Sequence, residues 1–462
     1  MGLLPPELLH LIFSYLSPYE ARALRLCCKT FADIGACWGF KKISFYLCRA
    51  DFQKLYRVAH HPIISQNVTM LVYHAANLEE PAKTLSEYRE KTKSIVYRYQ
   101  VEACDENWLP QHVLLNEDPR DCIYYDRDPI SPEDIAENYA HYVKAVEEQR
   151  RILSTREDFV LLKEVIPRLK QLRTVLVSND DWHSVPRGCS PFDRFFVYSL
   201  LSHEPHGARQ TEAVLHGLKG SGVALDSFVA GTLDVSLINR SFFQNIVEAC
   251  PSLETIDLVF DTIDANAPLL AENTANVIRA RDRVETGVIV KFLKAIPSLV
   301  EMSIGFTMAS ESPLRYPANL SHIVADGFKW KQLRCVHLLA IESERQELMR
   351  FFDLHKETLR DVELRDCRLI TTSWTRLLRE MKDTLTLDDI CVTGLVFGRV
   401  ESEDDYPEGS PTFIADLDIE ERWWLGDPDN EPGPCLAKDL TSWFLHDKPY
   451  PLTNWQIRVW ET

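Results

Sequence analysis

One spacing recurs through the middle of the chain and limits what it can fold into: an apolar residue, a second three positions on, and a third two further. Leu253-x-x-Ile256-x-Leu258 follows Cys250-Pro251-Ser252, and Leu299-x-x-Met302-x-Ile304 follows Ile296-Pro297-Ser298. The same pattern stands at Leu172-Val175-Val177, Leu225-Phe228-Ala230, Leu333-Val336-Leu338, Leu359-Val362-Leu364 and Leu387-Ile390-Val392. Alternating apolar positions mark a strand with one buried face. Between these segments lie stretches of helical periodicity, Phe242 to Ala249, Val288 to Ala295, Arg345 to His355 and Trp374 to Met381. The shorter intervals between first positions, 26 to 28 residues, hold one strand and one helix; longer ones, up to 53, leave room for insertions or for units the pattern does not reveal. Such a unit can bury its apolar face only against its neighbours. The spacing therefore predicts a mixed α/β fold with a parallel-stranded αβ stack over residues 165–400.

At 462 residues the chain is long enough for several domains, or for a repeat body with an appended module. Apolar residues make up 45% of it and charged residues 26%, the balance of a folded chain. The formal charge of −18 argues against a general role on nucleic acid or an anionic membrane, where a basic patch supplies most of the affinity. No run of about 18 apolar residues suggests a membrane span. The apolar N-terminus is interrupted by Pro5, Pro6, Glu7, His10 and Pro18 and lacks the flanks of a signal peptide. The expected location is intracellular, cytoplasmic or nuclear. None of the 12 cysteines has C-x-x-C spacing, so reduced and mostly buried thiols are expected, with no cofactor and no metal. The adjacent His60 and His61 invite a metal reading, but neighbours on one short stretch rarely reach one ion.

The N-terminus carries the densest local signals. Pro5 and Pro6 suit a helix entry, and Glu7 puts negative charge in the first turn, where the macrodipole favours it. Leu8, Leu9, Ile12, Phe13 and Leu16 then form a wide apolar stripe. A second helix is expected from Ser17-Pro18-Tyr19-Glu20, with Ser17 as N-cap, Pro18 at the first position and Glu20 completing a capping box. It is expected to run through Ala21, Leu24, Cys28 and Phe31 to a stop at Gly35. A unit of about 40 residues is too small to bury all these side chains itself. The surplus packs either on the rest of the chain or on a partner.

Leu4-Pro5-Pro6-Glu7-Leu8, Ile12-Phe13-Ser14-Tyr15-Leu16 and Leu24-Arg25-Leu26-Cys27-Cys28-Lys29-Thr30-Phe31 resemble the F-box in order and spacing. The resemblance covers about residues 3–45, with Cys27 where valine is usual and a looser match around Trp38-Gly39-Phe40. It implies a three-helix module over residues 1–45 that docks on the Skp-type adaptor of a cullin–RING ubiquitin ligase. It also implies that Leu4, Pro5, Leu8, Ile12, Leu16, Leu24 and Cys28 face the adaptor or the seam beneath it, with Glu7 fixing the start of the first helix. Ala32-Asp33-Ile34-Gly35, Phe52-Gln53-Lys54-Leu55 and His60 to Val68 extend the likeness to F-box proteins of filamentous fungi. The intervals of 26 to 28 residues suit a leucine-rich repeat, and without the asparagine ladder of tidy repeats the stack is expected to be a degenerate leucine-rich-repeat-like solenoid, or horseshoe.

Residues 46–164 read as a helical connector with an exposed loop at 102–130 and a helix opening at Ser131-Pro132-Glu133-Asp134. Residues 401–462 read as an acidic loop followed by a cap containing Trp423, Trp424, Trp443, Trp455 and Trp460. These tryptophans suit either closure of the open end of a repeat stack or, for Trp423, Trp424 and Trp443, a target-binding surface. No phosphate-binding loop, dinucleotide fingerprint, H-E-x-x-H or G-x-S-x-G stands in the chain; Gly217-Leu218-Lys219-Gly220-Ser221-Gly222 reads as a turn before the Leu225 strand. The expectation is a non-catalytic substrate receptor of a Skp–cullin–F-box ligase, with an unknown protein target. A repeat scaffold outside ubiquitination and an unrecognised hydrolase are the alternatives.

Overall fold

The computed structural model describes residues 4–75, 78, 84–89, 132–178, 207–263, 275–307, 316–399, 420–426, 435–446 and 448–451. The chain divides into two compact units. Met1–Val68, Val72–Lys170 and Ser178–His206 form the first; Thr69–Leu71, Gln171–Val177 and Gly207–Thr462 form the second.

The first unit begins with helices α1 (Pro6–Ser14), α2 (Pro18–Leu24) and α3 (Lys29–Gly39), followed by strand β1 (Lys42–Tyr46) and helix α4 (Arg49–His60); strand β2 (Met70–His74) has its first two residues in the second unit and the rest in the first. After the residues outside the description come α5 (Pro132–Thr155) and α6 (Glu157–Val165). The predicted single helix from Ser17 to Gly35 is two helices. The first ends at Leu24, and Cys28, with extended backbone, is the N-cap of the next. Gly35 lies inside α3 as a point of close approach: a Cβ there would sit 2.7 Å from the Ala21 carbonyl oxygen and 2.3 Å from Arg25 Cγ. Behind α4, Phe45 stacks on Tyr73 with centroids 4.4 Å apart, and the Tyr73 hydroxyl donates to the buried Asp158 carboxylate at 3.2 Å. α5 places Tyr142 and Val146 in a cluster with Tyr46, Cys48, Leu78 and Tyr88.

In the second unit each zero-three-five segment is a strand: β3 (Thr174–Ser178), β4 (Ser227–Asp234), β5 (Thr255–Asp261), β6 (Glu301–Phe306), β8 (Cys335–Leu339), β10 (Asp361–Arg365) and β12 (Asp389–Thr393). They pair in parallel in that order. The register matches the sequence spacing. Val175, Phe228, Ile256, Met302, Val336, Val362 and Ile390 are successive partners, and so are Val177, Ala230, Leu258, Ile304, Leu338, Leu364 and Val392. The leading leucines, 172, 225, 253, 299, 333, 359 and 387, are all buried. A backbone motif repeats beneath them: the Arg173, Asp226, Glu254, Val300, Arg334 and Arg360 carbonyls each accept from two consecutive amides of the next strand's entry.

Helices α7 (Gly207–Leu218), α8 (Arg240–Ala249), α9 (Ala275–Val284), α10 (Val288–Lys294), α11 (Arg345–His355) and α12 (Trp374–Thr384) follow or separate the strands. They cover the face bearing the apolar ladder. Phe243 of α8 meets Phe260 of β5 edge-on and stacks on Phe292 of α10, while Trp330 donates its indole N–H to the Leu293 and Ile296 carbonyls.

Short strands β7 (Ala318–Asn319), β9 (Ile341–Ser343), β11 (Arg368–Leu369) and β13 (Leu395–Arg399) form a second parallel ladder, closed by antiparallel β14 (Glu420–Trp424). At three corners between the two ladders, from β8 to β9, β10 to β11 and β12 to β13, the turning residue is left-handed: Ala340, Asp366 and Gly394. Gly394 is required there, because φ is +71° and a Cβ would meet the Asp366 carboxylate, which accepts from the Leu395 amide at 2.8 Å. Helix α13 (Leu436–His446) lies against β12, where the Thr441 hydroxyl donates to the Ile390 carbonyl at 2.6 Å. Among the described residues no helix is long and apolar enough to cross a membrane.

Candidate functional site

Helix α1 starts without a side-chain cap. Pro6 occupies the first turn, where a missing amide costs nothing, and the Leu8 and Leu9 amides donate to the Pro5 carbonyl at 3.1 and 3.2 Å. At α2 the capping box forms as its sequence predicts. The Ser17 hydroxyl accepts from the Glu20 amide at 3.3 Å, and the Glu20 carboxylate accepts from the Ser17 amide at 2.8 Å. The bond from the Ser17 amide foremost, and next the donation of the Ser17 hydroxyl to the same carboxylate at 2.8 Å, hold the Glu20 carboxyl below its ordinary range.

The wide stripe of α1 serves two sides. Leu9 and Phe13 turn inward onto Ala21 and Ile34, with Leu16, Leu24, Phe31 and Trp38 packed around them. Phe13 and Phe31 meet edge-on at 5.5 Å, and the Trp38 indole N–H donates to His10 Nδ1 at 3.2 Å. On the other side Leu4, Leu8, Leu11, Ile12 and Tyr15 stand in solvent at 45%, 46%, 52%, 46% and 83% exposure. Spacings of three and four residues put Leu8, Leu11, Ile12 and Tyr15 on one helical face, while Leu4 stands just before the helix. Tyr19 in α2 and Leu26 in the turn after it are also exposed. Each such side chain left in water forgoes about 1.5–3 kcal/mol, and α1 cannot recover this inward because Leu9 and Phe13 already fill that side.

Of the residues assigned to adaptor docking, Leu4, Pro5, Glu7, Leu8, Ile12 and Cys28 are exposed, while Leu16 and Leu24 are half-buried in the internal cluster. Leu11, Tyr15, Tyr19 and Leu26 are exposed as well and were not among the residues expected to dock. Leu11 and Tyr15 were in principle available, lying three and seven residues beyond Leu8. Basic groups flank this module: Arg25 lies over the Phe40 ring at 4.7 Å and Lys41 over Trp38 at 4.0 Å.

The tryptophans do not form one surface. Trp423 is buried, Trp443 is half-buried beneath Lys382 at 4.8 Å, and Trp424 is 63% exposed on β14. Trp455, Trp460, the 102–130 loop and the acidic stretch at 401–411 lie outside the described residues. The two histidines are occupied locally. His60 Nε2 lies 3.4 Å from Glu164, whereas His61 Nδ1 accepts from the Ile63 and Ile64 amides. Burial pushes the Cys48 thiol up to about 11 and those of Cys250 and Cys367 up to about 12, which keeps them protonated and poorly nucleophilic.

Comparison with protein families matches residues 1–37 to the F-box-like family, the segment that builds α1, α2 and most of α3. No curated protein matches the chain. The chain thus carries an F-box-like domain ahead of a mixed α/β body with parallel sheets.

Proposed function

We propose, from the F-box-like domain at residues 1–37, that this chain is the substrate-recognition subunit of a Skp–cullin–F-box type ubiquitin ligase. The observation that carries the reading is the exposed row Leu4, Leu8, Leu11, Ile12 and Tyr15, backed by an inner cluster that is already filled. A helical face of this kind seats in an apolar groove of another protein, read through anchors three and four residues apart. Leu4, Pro5, Leu8, Ile12 and Cys28 bear on the adaptor, Leu16 and Leu24 support them from beneath, and Glu7 holds the helix start.

The second unit, read as a degenerate leucine-rich-repeat-like solenoid, presents the target. Its matched register across seven strands supports that reading, and Trp424 offers an exposed aromatic anchor at one end. The chain contributes proximity. Holding a target lysine beside the activated ubiquitin makes transfer effectively intramolecular, an advantage that reaches about 7–11 kcal/mol in well-oriented systems. The bond chemistry belongs to other subunits, and the complex works in the cytoplasm or nucleus.

Co-purification with a Skp-type adaptor and a cullin tests this. Leu8→Asp buries a charge at the centre of the contact and is expected to lower adaptor capture by more than about tenfold, as is Leu4→Ala with Pro5→Ala. The unfolding transition of the second unit is expected to stay unchanged. Val160→Asp, at another exposed apolar position, is expected to leave capture intact. Full capture by Leu8→Asp would sink the docking face, and adaptor without cullin would identify a scaffold outside ubiquitination.

A further inference from the structure

Ser17 is followed by Pro18, and a residue before proline is held extended. Its backbone stands at φ −61° and ψ 154°, and the residue is exposed between α1 and α2. The chain holds five Ser-Pro dipeptides, starting at Ser17, Ser131, Ser190, Ser312 and Ser410, and of these serines Ser17 is the one among the described residues. Phosphoryl transfer needs a hydroxyl that a kinase can align in its cleft. An exposed serine on extended backbone with proline next to it is the form that proline-directed kinases take. The same hydroxyl also closes the capping box of α2, and the two tasks conflict.

The Glu20 carboxylate accepts from both the amide and the hydroxyl of Ser17 at 2.8 Å, while the hydroxyl oxygen accepts from the Glu20 amide at 3.3 Å. A phosphate on Ser17 Oγ removes the hydroxyl proton, so one donor to Glu20 is lost outright. It also brings about 1.5 to 2 negative charges against an ionised carboxylate. Like charges in such contact repel. Pro18 has no amide, so the first turn of α2 has one donor fewer with which to receive the phosphate. Arg22, one turn further along α2, is already engaged: its Nε donates to the Pro18 carbonyl at 3.0 Å, and its guanidinium lies over the Phe40 ring at 6.0 Å.

The disturbance reaches the docking face by two routes. α2 carries the buried Ala21, and Leu24 beside it, into the cluster that seats Leu9 and Phe13, so a loosened first turn weakens the support of α1. Ser17 also stands two residues beyond Tyr15, the last of the exposed row. A dianion at the rim of an apolar contact adds a desolvation cost to docking.

We infer that Ser17 is the phosphoacceptor of a proline-directed protein kinase, and that its phosphate opens the capping box of α2 and blocks docking of the adaptor. This regulates the docking face described above and rests on the adaptor-binding reading of it. In the transfer, Ser17 Oγ attacks the γ-phosphorus of Mg-ATP, the bond from that phosphorus to the bridging oxygen breaks, ADP leaves, and the hydroxyl proton passes to a base of the kinase.

The full chain is treated in turn with a mitogen-activated and a cyclin-dependent protein kinase in Mg-ATP, and phosphate is located by mass spectrometry. Phosphate on Ser17 is expected, with adaptor capture falling at least about tenfold and returning after phosphatase treatment. Ser17→Asn is the control, because asparagine caps a helix as well as serine does and has no hydroxyl to modify. It is expected to capture adaptor equally before and after treatment, although the other four Ser-Pro serines remain. Hydrogen exchange supplies a readout that needs no adaptor: the amides of residues 20–24 are expected to exchange at least about tenfold faster in the phosphorylated chain. No phosphate on Ser17, unchanged exchange at residues 20–24, or an equal loss of capture in Ser17→Asn would overturn the inference. Full capture by a phosphorylated chain that also captures before treatment removes the switch alone. No capture by the untreated chain removes the ligase reading alone, with the modification and its effect on α2 still decided by the phosphate and the exchange.

Discussion

His355 shows how a single side chain can make stability depend on pH. Its ring is fully buried, Nε2 accepts from the Trp330 amide at 3.1 Å, and Nδ1 donates to the Phe351 carbonyl at 2.8 Å. Only the neutral tautomer with its proton on Nδ1 satisfies both bonds. Burial pushes the imidazole below its ordinary value, and nearby Lys329 adds to the effect. A depressed folded pKa means that the unfolded chain takes up the proton first. The stabilisation is therefore complete above the unfolded value of about 6.5 and is lost as pH falls through it. His322 is depressed for the same leading reason and acts in the same direction. Thermal unfolding midpoints are expected to fall from pH 7.5 to 5.5, and His355→Gln, lower at pH 7.5, is expected to fall less steeply. Parallel slopes would show that His355 does not titrate on unfolding. Nothing in the sequence marks this histidine, which closes a helix whose other buried residues are apolar; the Trp330 amide and ring that meet it stand 25 residues away.

At the scale of elements, much of the candidate site was legible, and its sidedness was not. Capping residues are local signals, so Ser17, Pro18 and Glu20 located α2 from sequence alone. The stripe of α1 was visible too, but Leu8 and Leu9, like Ile12 and Phe13, are neighbours in the chain. Periodicity cannot say which member of each pair turns inward until the opposing helices are in place. Gly35 was misread because a glycine that ends a helix and one that admits a neighbouring helix look alike in sequence. Its packing role yields a prediction. Gly35→Ala forces α3 away from the Ala21 carbonyl, 2.7 Å from the new Cβ. Overpacking of this kind costs about 1–3 kcal/mol, offset in part by alanine's better helix propensity. The variant is expected to lower the unfolding midpoint and weaken adaptor capture, although Gly35 itself lies among buried residues. Unchanged capture and midpoint would mean that α2 and α3 separate without cost.

Across the whole chain, the zero-three-five spacing foretold the main ladder because each position maps onto a fixed strand register. Two further segments follow the same spacing with other residues, Val68-Leu71-Tyr73 and Phe40-Ile43-Phe45, and they escaped notice because no leucine leads them. The second ladder was invisible: strands of two or three residues such as β7, β9 and β11 carry no period, and the left-handed corners at Ala340 and Asp366 use residues that rarely signal such a turn. A ladder in which each strand meets only its neighbours gains stability mainly from adjacent contacts, so its ends need covering. Helix α13 covers one end. Leu440 and Phe444 line an apolar seam with Leu378, Ile390 and Val392, and the Thr441 hydroxyl donates to the Ile390 carbonyl on the last strand. Leu440→Asp places a carboxylate against that apolar seam and is expected to cost about 3–5 kcal/mol, the loss of a buried leucine plus an unpaired charge. If coupling runs through neighbours, the loss is local first. Hydrogen exchange in the variant is expected to quicken in β12 and then β10 while β4 and β5 keep their protection. Uniform acceleration from β3 to β12 would instead show that the second unit unfolds as one cooperative block, with α13 stabilising every strand equally.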